Sequence, residues 1–175
     1  MKYFPVYLLI ALSCISCKND DDGTPDWSAV SALKNGSYWE AAVKVVDNSD
    51  HPEETGLLLF IEKEKDNGWD ELMYFVNVPS SVGRYTLPDT RSNAQDTLIR
   101  LYYGTGGSDV IGDTFSLSAT DSIENYLEIT DILDDKIIGK FQLSFFRNSA
   151  GVPACPGTPD TVIFTAGAFR TWIRY

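Results

Sequence analysis

Along most of the chain, apolar and polar residues alternate in short runs bounded by turn formers. Phe115 and Leu117, then Ala119, alternate with Thr114, Ser116 and Ser118. Leu127 and Ile129 alternate with Tyr126, Glu128 and Thr130, and Phe141, Leu143 and Phe145 with Lys140, Gln142 and Ser144. Ile99, Leu101 and Tyr103 stand opposite Leu98, Arg100 and Tyr102. A period of two with one apolar face predicts antiparallel strands that bury a single side. Further strands are predicted at Leu57–Lys63, at Glu71–Val78 with Leu72, Tyr74, Val76 and Val78 on one face, and at Gly83–Leu87. Two more, Thr161–Thr165 and Ala168–Arg174, close the chain. Ser28–Lys34 fits either a short helix or a strand. Asn35-Gly36, a pair suited to a type I′ turn, favours a hairpin into Ser37–Val46. Gly104-Thr105-Gly106-Gly107-Ser108 reads as a turn. Eight to ten short strands without a long helix predict an all-β fold, an antiparallel sandwich or barrel-like domain.

The first residues follow a different pattern. Lys2 precedes an apolar run from Phe4 to Leu12 broken by Pro5, and small residues and cysteines follow. Charged, then apolar, then small is the order of a secretory signal. The run is far shorter than the roughly 20 residues that span a bilayer. Cys14 and Cys17 each follow a serine, and a cysteine in that position resembles a bacterial lipobox. Cys17 is preferred, because it leaves the fuller apolar core and leads directly into Lys18-Asn19-Asp20-Asp21-Asp22. The chain is therefore divided into a lipoprotein signal peptide (1–16), an acylated cysteine with an acidic tether (17–26) and one β domain (27–175). In a lipobox protein the cysteine carries two or three acyl chains, and more than one chain makes attachment stable.

Net charge adds a second constraint. At −11 for 175 residues, the chain repels nucleic acid and anionic headgroups, so membrane attachment falls to the lipid. After processing at Cys17, Cys155 has no internal partner for a disulfide; it sits between prolines in a loop, and no basic residue is close in sequence to activate it.

Several motifs in order carry a resemblance. They are Asn35-Gly36-x-x-Trp39, Tyr74-Phe75-x-Asn77-Val78-Pro79, Gly83-x-Tyr85-x-Leu87, Asn125-Tyr126-Leu127-Glu128-Ile129-Thr130, Gly139-Lys140-Phe141-Gln142-Leu143 and Asp160–Phe169. Together they resemble a family of Bacteroidota outer-membrane lipoproteins that has a small β domain and no assigned activity. The resemblance implies export and acylation, with Lys18, Asp20, Asp21 and Asp22 matching a signal for the outer face of the outer membrane. It supplies no catalytic residue.

The chemistry-bearing residues are sparse. His51 is the only histidine, and there is no His-Glu-x-x-His, Cys-x-x-Cys, P-loop or Gly-x-Ser-x-Gly motif. His51 lies among Asp50, Glu53 and Glu54, a setting more often solvated than metal-binding. Asp109, Asp113 and Asp121 offer oxygen ligands at a spacing that matches no EF-hand, and turn-forming aspartates are the preferred reading. No metal or cofactor is expected. Trp69, at a hairpin tip, and Tyr102, Arg170 and Trp172, opposite the stronger apolar faces, are the candidate binding residues for a glycan or a protein partner. The leading expectation is a non-catalytic binding or accessory module on a lipid anchor. A calycin-like barrel that encloses an apolar ligand or inhibits an exported enzyme stands second, and a carboxylate-dependent glycosidase third.

Overall fold

A computed structural model describes residues 28–47, 56–65, 68–87, 99–107, 110–118, 123–148 and 157–174. Cys17, Lys18, Asp20–Asp22, His51, Asp109, Asp121 and Cys155 lie outside the described residues. Among those described there are ten strands and no helix. They are β1 (Ala29–Lys34), β2 (Ser37–Asp47), β3 (Leu57–Lys63), β4 (Asp70–Val78), β5 (Gly83–Thr86), β6 (Arg100–Gly107), β7 (Val110–Leu117), β8 (Tyr126–Leu133), β9 (Lys136–Arg147) and β10 (Thr161–Arg174).

Eight of these strands close into an antiparallel barrel, in the order β1-β2-β3-β4-β6-β7-β9-β10 and back to β1. β8 and β5 extend the sheet from the first half of β9. The two long strands make this branching possible. β9 pairs with β8 over Lys136–Gln142 and with β7 over Phe145–Arg147, while its other edge follows β10 from Lys136 to Phe146. Closure gives each barrel strand a partner on both sides, which removes the exposed edges of an open sheet.

The short-range signals explain the local structure. Asn35 and Gly36 take φ values of 49° and 80°, as a type I′ turn requires, and β1 is a strand. β8 and β9 are joined by Asp134-Asp135, with Asp134 at φ 56°. Two departures from the expected pattern have backbone causes. The closing segment is one strand, not two: Ala166, at φ 51°, forms a bulge between Phe164 and Gly167 that bends β10 without ending it. In β4 the core face consists of Glu71, Met73 and Phe75, whereas Leu72, Tyr74 and Val76 face outward and are half-buried. A bulge at Asn77 (φ 62°) returns Val78 to the interior.

Aromatic rings fill the interior. Phe75, Phe141, Phe145 and Phe164 are fully buried. Tyr103 lies 4.9 Å from Phe115, 4.7 Å from Phe145 and 5.5 Å from Phe164 between ring centroids, and Trp39 meets Phe164 edge-on at 5.0 Å. Each buried ring removes a large apolar area from water, and the tilted and edge-on geometries add about 0.5–1.5 kcal/mol per pair.

Two of these rings depend on glycines in the neighbouring strand. Gly139 of β9 pairs with Phe169 of β10, and Phe141 of β9 pairs with Gly167 of β10. A Cβ on Gly139 would come within 2.4 Å of Phe169 and 2.5 Å of the Glu128 carbonyl oxygen; one on Gly167 would come within 2.6 Å of Phe141. Each ring thus covers the bare backbone opposite it. Gly139→Ala and Gly167→Ala should each lower stability by about 1–3 kcal/mol, the usual cost of overpacking. Urea denaturation of the purified protein measures this. Because the three atoms nearest a Cβ at Gly167 all belong to the Phe141 ring, Phe141→Leu should absorb part of the Gly167→Ala cost. Gly139→Ala should not be relieved in the same way by Phe169→Leu, since the Glu128 backbone also blocks it.

Candidate functional site

One surface groove is built on β4, β6 and β7, which lie side by side. Their outer faces carry Leu72 and Tyr74 on β4, Tyr102 and Gly104 on β6, and Thr114 and Ser116 on β7. Gly104 lacks a side chain, and so do Gly106 and Gly107 beyond it, so the sheet forms a groove of about 710 Å³. Tyr102, 54% exposed, stands at one end of the glycine run. Ile111, which pairs with Gly106 and is 83% exposed, stands at the other. The residues expected to form a turn here, Gly104 to Gly107, are the second half of β6. The glycines serve close packing: a Cβ on Gly104 would lie 3.0 Å from the Asp113 carbonyl oxygen.

One wall is aromatic and aliphatic. Tyr74 pairs with Tyr102 across β4 and β6, and its ring lies 4.6 Å from that of Phe60 on β3. Burial, then the nearby Glu62 carboxylate, pushes the Tyr74 phenol up, so the hydroxyl stays protonated. The opposite wall is polar and held in place. Ser116 Oγ donates to Asn148 Oδ1 at 2.5 Å, and Asn148 Nδ2 donates to Thr114 Oγ1 at 3.3 Å. The Asn148 backbone N–H donates to the Thr114 carbonyl at 2.9 Å, which locks the amide beside β7.

A second groove, of about 740 Å³, lies across β1, β2, β9 and β10. Ala29, Ser31, Ala41, Ala42 and Ala168 make it shallow, and Tyr38, Glu40, Lys140 and Arg170 stand around it. Tyr38 is 70% exposed and donates from its hydroxyl to Glu40 Oε2 at 3.0 Å.

Of the four candidate binding residues two line a groove, and the two tryptophans, Trp69 and Trp172, line neither. Tyr102 lines the first groove. Trp69 precedes β4 and is half-buried, with its ring packed so closely on Gly112 that a Cβ there would lie 2.8 Å from it. Arg170 belongs to the second groove, and Trp172, also on β10, is half-buried with the Lys136 ammonium 4.4 Å from its ring centroid. Asp113 is in strand β7, not in a turn; it is 1% exposed, and its carboxylate lies 3.6 Å from Arg147 Nη1. Arg147 also donates to Asp160 from Nη2 at 2.5 Å and from Nε at 3.2 Å. Among the described residues no group of three His, Cys, Asp or Glu side chains is placed to hold a metal ion.

One charged cluster had no sequence signal of its own. Glu71 points into the barrel and is 3% exposed. Its Oε1 contacts the ammonium groups of Lys34 and, at 2.6 Å, Lys65; its Oε2 accepts from Trp39 Nε1 at 2.9 Å. Burial pushes the Glu71 carboxyl up, but Lys34 and Lys65 beside it outweigh burial and hold it below the ordinary carboxylate range. Lys34 shares that carboxylate with Lys65, so burial wins there and pulls its ammonium down. The residues that meet here come from β1, β2, β4 and the β3–β4 connection, which explains why neighbouring positions in the chain gave no hint.

No known family matches the chain, and no curated protein or solved structure is significantly similar to it.

Glu71→Gln should cost roughly 3 kcal/mol, the lower end for breaking a buried ion pair, because Lys34 and Lys65 keep some contact with water. The folded carboxyl titrates below its unfolded value of about 4.5. Its stabilisation is therefore fully present above that pH and is lost as pH falls through the lower, folded value. Denaturation curves of wild type and Glu71→Gln should accordingly be well separated at pH 7 and converge in acid. A constant separation down to pH 2 would contradict this linkage.

Proposed function

We propose that this protein is a non-catalytic binding or accessory domain of the cell envelope. In this reading it is anchored to the outer membrane by lipid on Cys17, faces the cell exterior and engages its ligand through the groove on β4, β6 and β7. The observation that carries the binding assignment is the lining of that groove. It combines one exposed tyrosine, Tyr102, and one half-buried tyrosine, Tyr74, with a glycine floor and a fixed polar wall, and no ionisable acid or base other than tyrosine, in a chain of net charge −11. A concave, mostly apolar site with a few placed polar groups is the usual form of a small-ligand site. The anchor rests on the order of Lys2, the apolar run, the small residues and Cys17, and the exterior location on Lys18 and Asp20–Asp22.

Two other readings fit less well. A calycin-like barrel would hold its ligand inside. Barrel closure suits it, but the rings of Phe75, Tyr103, Phe141, Phe145 and Phe164 occupy that space. A glycosidase needs two carboxylates across one cleft, roughly 5–10 Å apart. The first groove is lined by none and the second only by Glu40; Glu40, Glu62 and Glu64 meet in a smaller, open hollow on β2 and β3, where Lys44 and Lys63 stand among them. The buried acids Glu71 and Asp113 are engaged by lysines and arginine and line neither groove.

Intact-mass measurement of the detergent-extracted protein tests the anchor, and a mature N-terminus of acylated Cys17 is expected. Cys17→Ala should yield a soluble or unprocessed product, whereas Cys14→Ala should leave attachment intact. Attachment should survive high salt, which screens charge attraction over about 10 Å at 0.1 M, and yield to detergent. Hydrolysis of any polysaccharide by the purified protein, abolished by changing one carboxylate, would overturn the non-catalytic assignment.

A further inference from the structure

Resting on the proposed binding role of the β4–β6–β7 groove, we infer that its ligand is a neutral saccharide. Three observations converge on this chemistry. First, the two walls differ in kind. Leu72, Tyr74 and Tyr102 present apolar faces, while Thr114, Ser116 and Asn148 present hydroxyls and an amide. A pyranose has the same division: its axial C–H face packs on an aromatic ring and its equatorial hydroxyls exchange hydrogen bonds at the rim. Second, the polar wall is already arranged. Asn148 accepts from Ser116 and donates to Thr114. The Thr114 hydroxyl proton, the second Asn148 amide proton and the remaining Ser116 lone pairs are then available as both donors and acceptors. Sugar hydroxyls need both. Such fixed groups lose little freedom on binding.

Third, charge and topology exclude the competing classes. The groove is lined by no Asp, Glu, Lys, Arg or His, although 22% of the chain is Asp, Glu, Lys or Arg. Nothing there would neutralise a uronate, a sulfate or a phosphate, and the surrounding net charge repels them. β4 pairs along both edges and β6 is enclosed between β4 and β7, so an extended peptide has no free edge on the groove floor to join, the open edge of β7 being confined to Val110–Asp113. Phe60, whose ring meets Tyr74, extends the platform onto β3, so more than one sugar ring can be seated along it.

Affinity electrophoresis of the purified full-length lipoprotein in detergent is the test. The gels would contain neutral glucans, mannans, galactans or xylans, with polygalacturonate as the anionic comparison. At least one neutral polymer should retard the protein, and polygalacturonate should not. Tyr102→Ala removes an exposed ring and no core contact, and it should weaken retardation about two- to tenfold. Tyr102→Phe, which keeps the stacking face, should retain most of it. Asn148→Ala should weaken it to a similar degree by releasing the polar wall. Arg170→Ala, in the other groove, should have no effect. Unchanged urea midpoints confirm that the variants fold.

Absence of retardation by every neutral polymer, or preference for polygalacturonate, would overturn the saccharide inference. If a self-associated dimer forms instead and Tyr102→Ala dissolves it, the groove still binds and only the saccharide inference falls. Should a neutral glycan bind undiminished by both Tyr102→Ala and Asn148→Ala, the sugar sits elsewhere, and both this inference and the groove assignment fall.

Discussion

The pairing of β9 with β10 is the constraint on which the remaining architecture rests. These strands run together from Lys136–Trp172 to Phe146–Thr161, and each has more length than one neighbour can use on its other edge. β9 therefore serves both β8 and β7, and β10 serves both β1 and β2. Gly139 and Gly167 leave bare backbone on the inner side of this pair, and Phe169 and Phe141, paired opposite them, fill the space above. The bulge at Ala166 adds local twist at the same point. Ring, glycine and bulge thus act as one unit.

The buried Glu71 cluster shows the opposite economy. Taking a carboxylate and two ammonium groups partly out of water costs several kcal/mol per ion, and attraction alone rarely repays it. Here the geometry helps: the Trp39 indole satisfies the second carboxylate oxygen, and the Lys34 ammonium lies 5.9 Å from the ring centroids of Tyr103 and Phe164. The cluster joins β1, β2 and β4 to the β3–β4 connection through one side chain. An apolar residue at position 71 would pack as well but would leave the two lysines without that shared partner. The arrangement thus fixes how these segments meet, in addition to any net stabilisation.

What could be read from the chain alone follows from the range of each interaction. The Asn35-Gly36 turn was legible because its backbone requirement lies within two residues. The buried faces of β6, β7, β8 and β9 were legible because an apolar period of two has one interpretation when the other face is polar. In β4 both faces are apolar, and the inward one begins with a glutamate, so its orientation depended on partners from elsewhere in the chain. Gly104 to Gly107 carried an ordinary turn signature. Only the pairing of β6 with β4 and β7 makes that run a strand. The groove was therefore half-visible: Tyr102 stood out as an exposed aromatic, but the glycine floor arises from the pairing of β6 with β4 and β7, and the Asn148 wall from contacts across 32 and 34 residues.

A binding face on the wall of a closed barrel has particular physical properties. Its side chains project from a hydrogen-bonded lattice with strands about 4.8 Å apart, so Tyr74, Tyr102 and Ser116 cannot drift independently. Recognition on the groove floor depends on side chains, because the backbone of β4 is paired along both edges and that of β6 lies between β4 and β7. The core rings Tyr103 and Phe115 lie directly beneath the groove and meet at 4.9 Å, so the floor is braced by the same packing that stabilises the barrel. A ligand then meets a preformed surface, and affinity is governed by how well its apolar and polar faces match the two walls. In the proposed binding role, an uncharged groove within a chain of net charge −11 would sharpen that selection, with charge repelling anionic polymers at a distance and the groove favouring neutral amphipathic ones on contact.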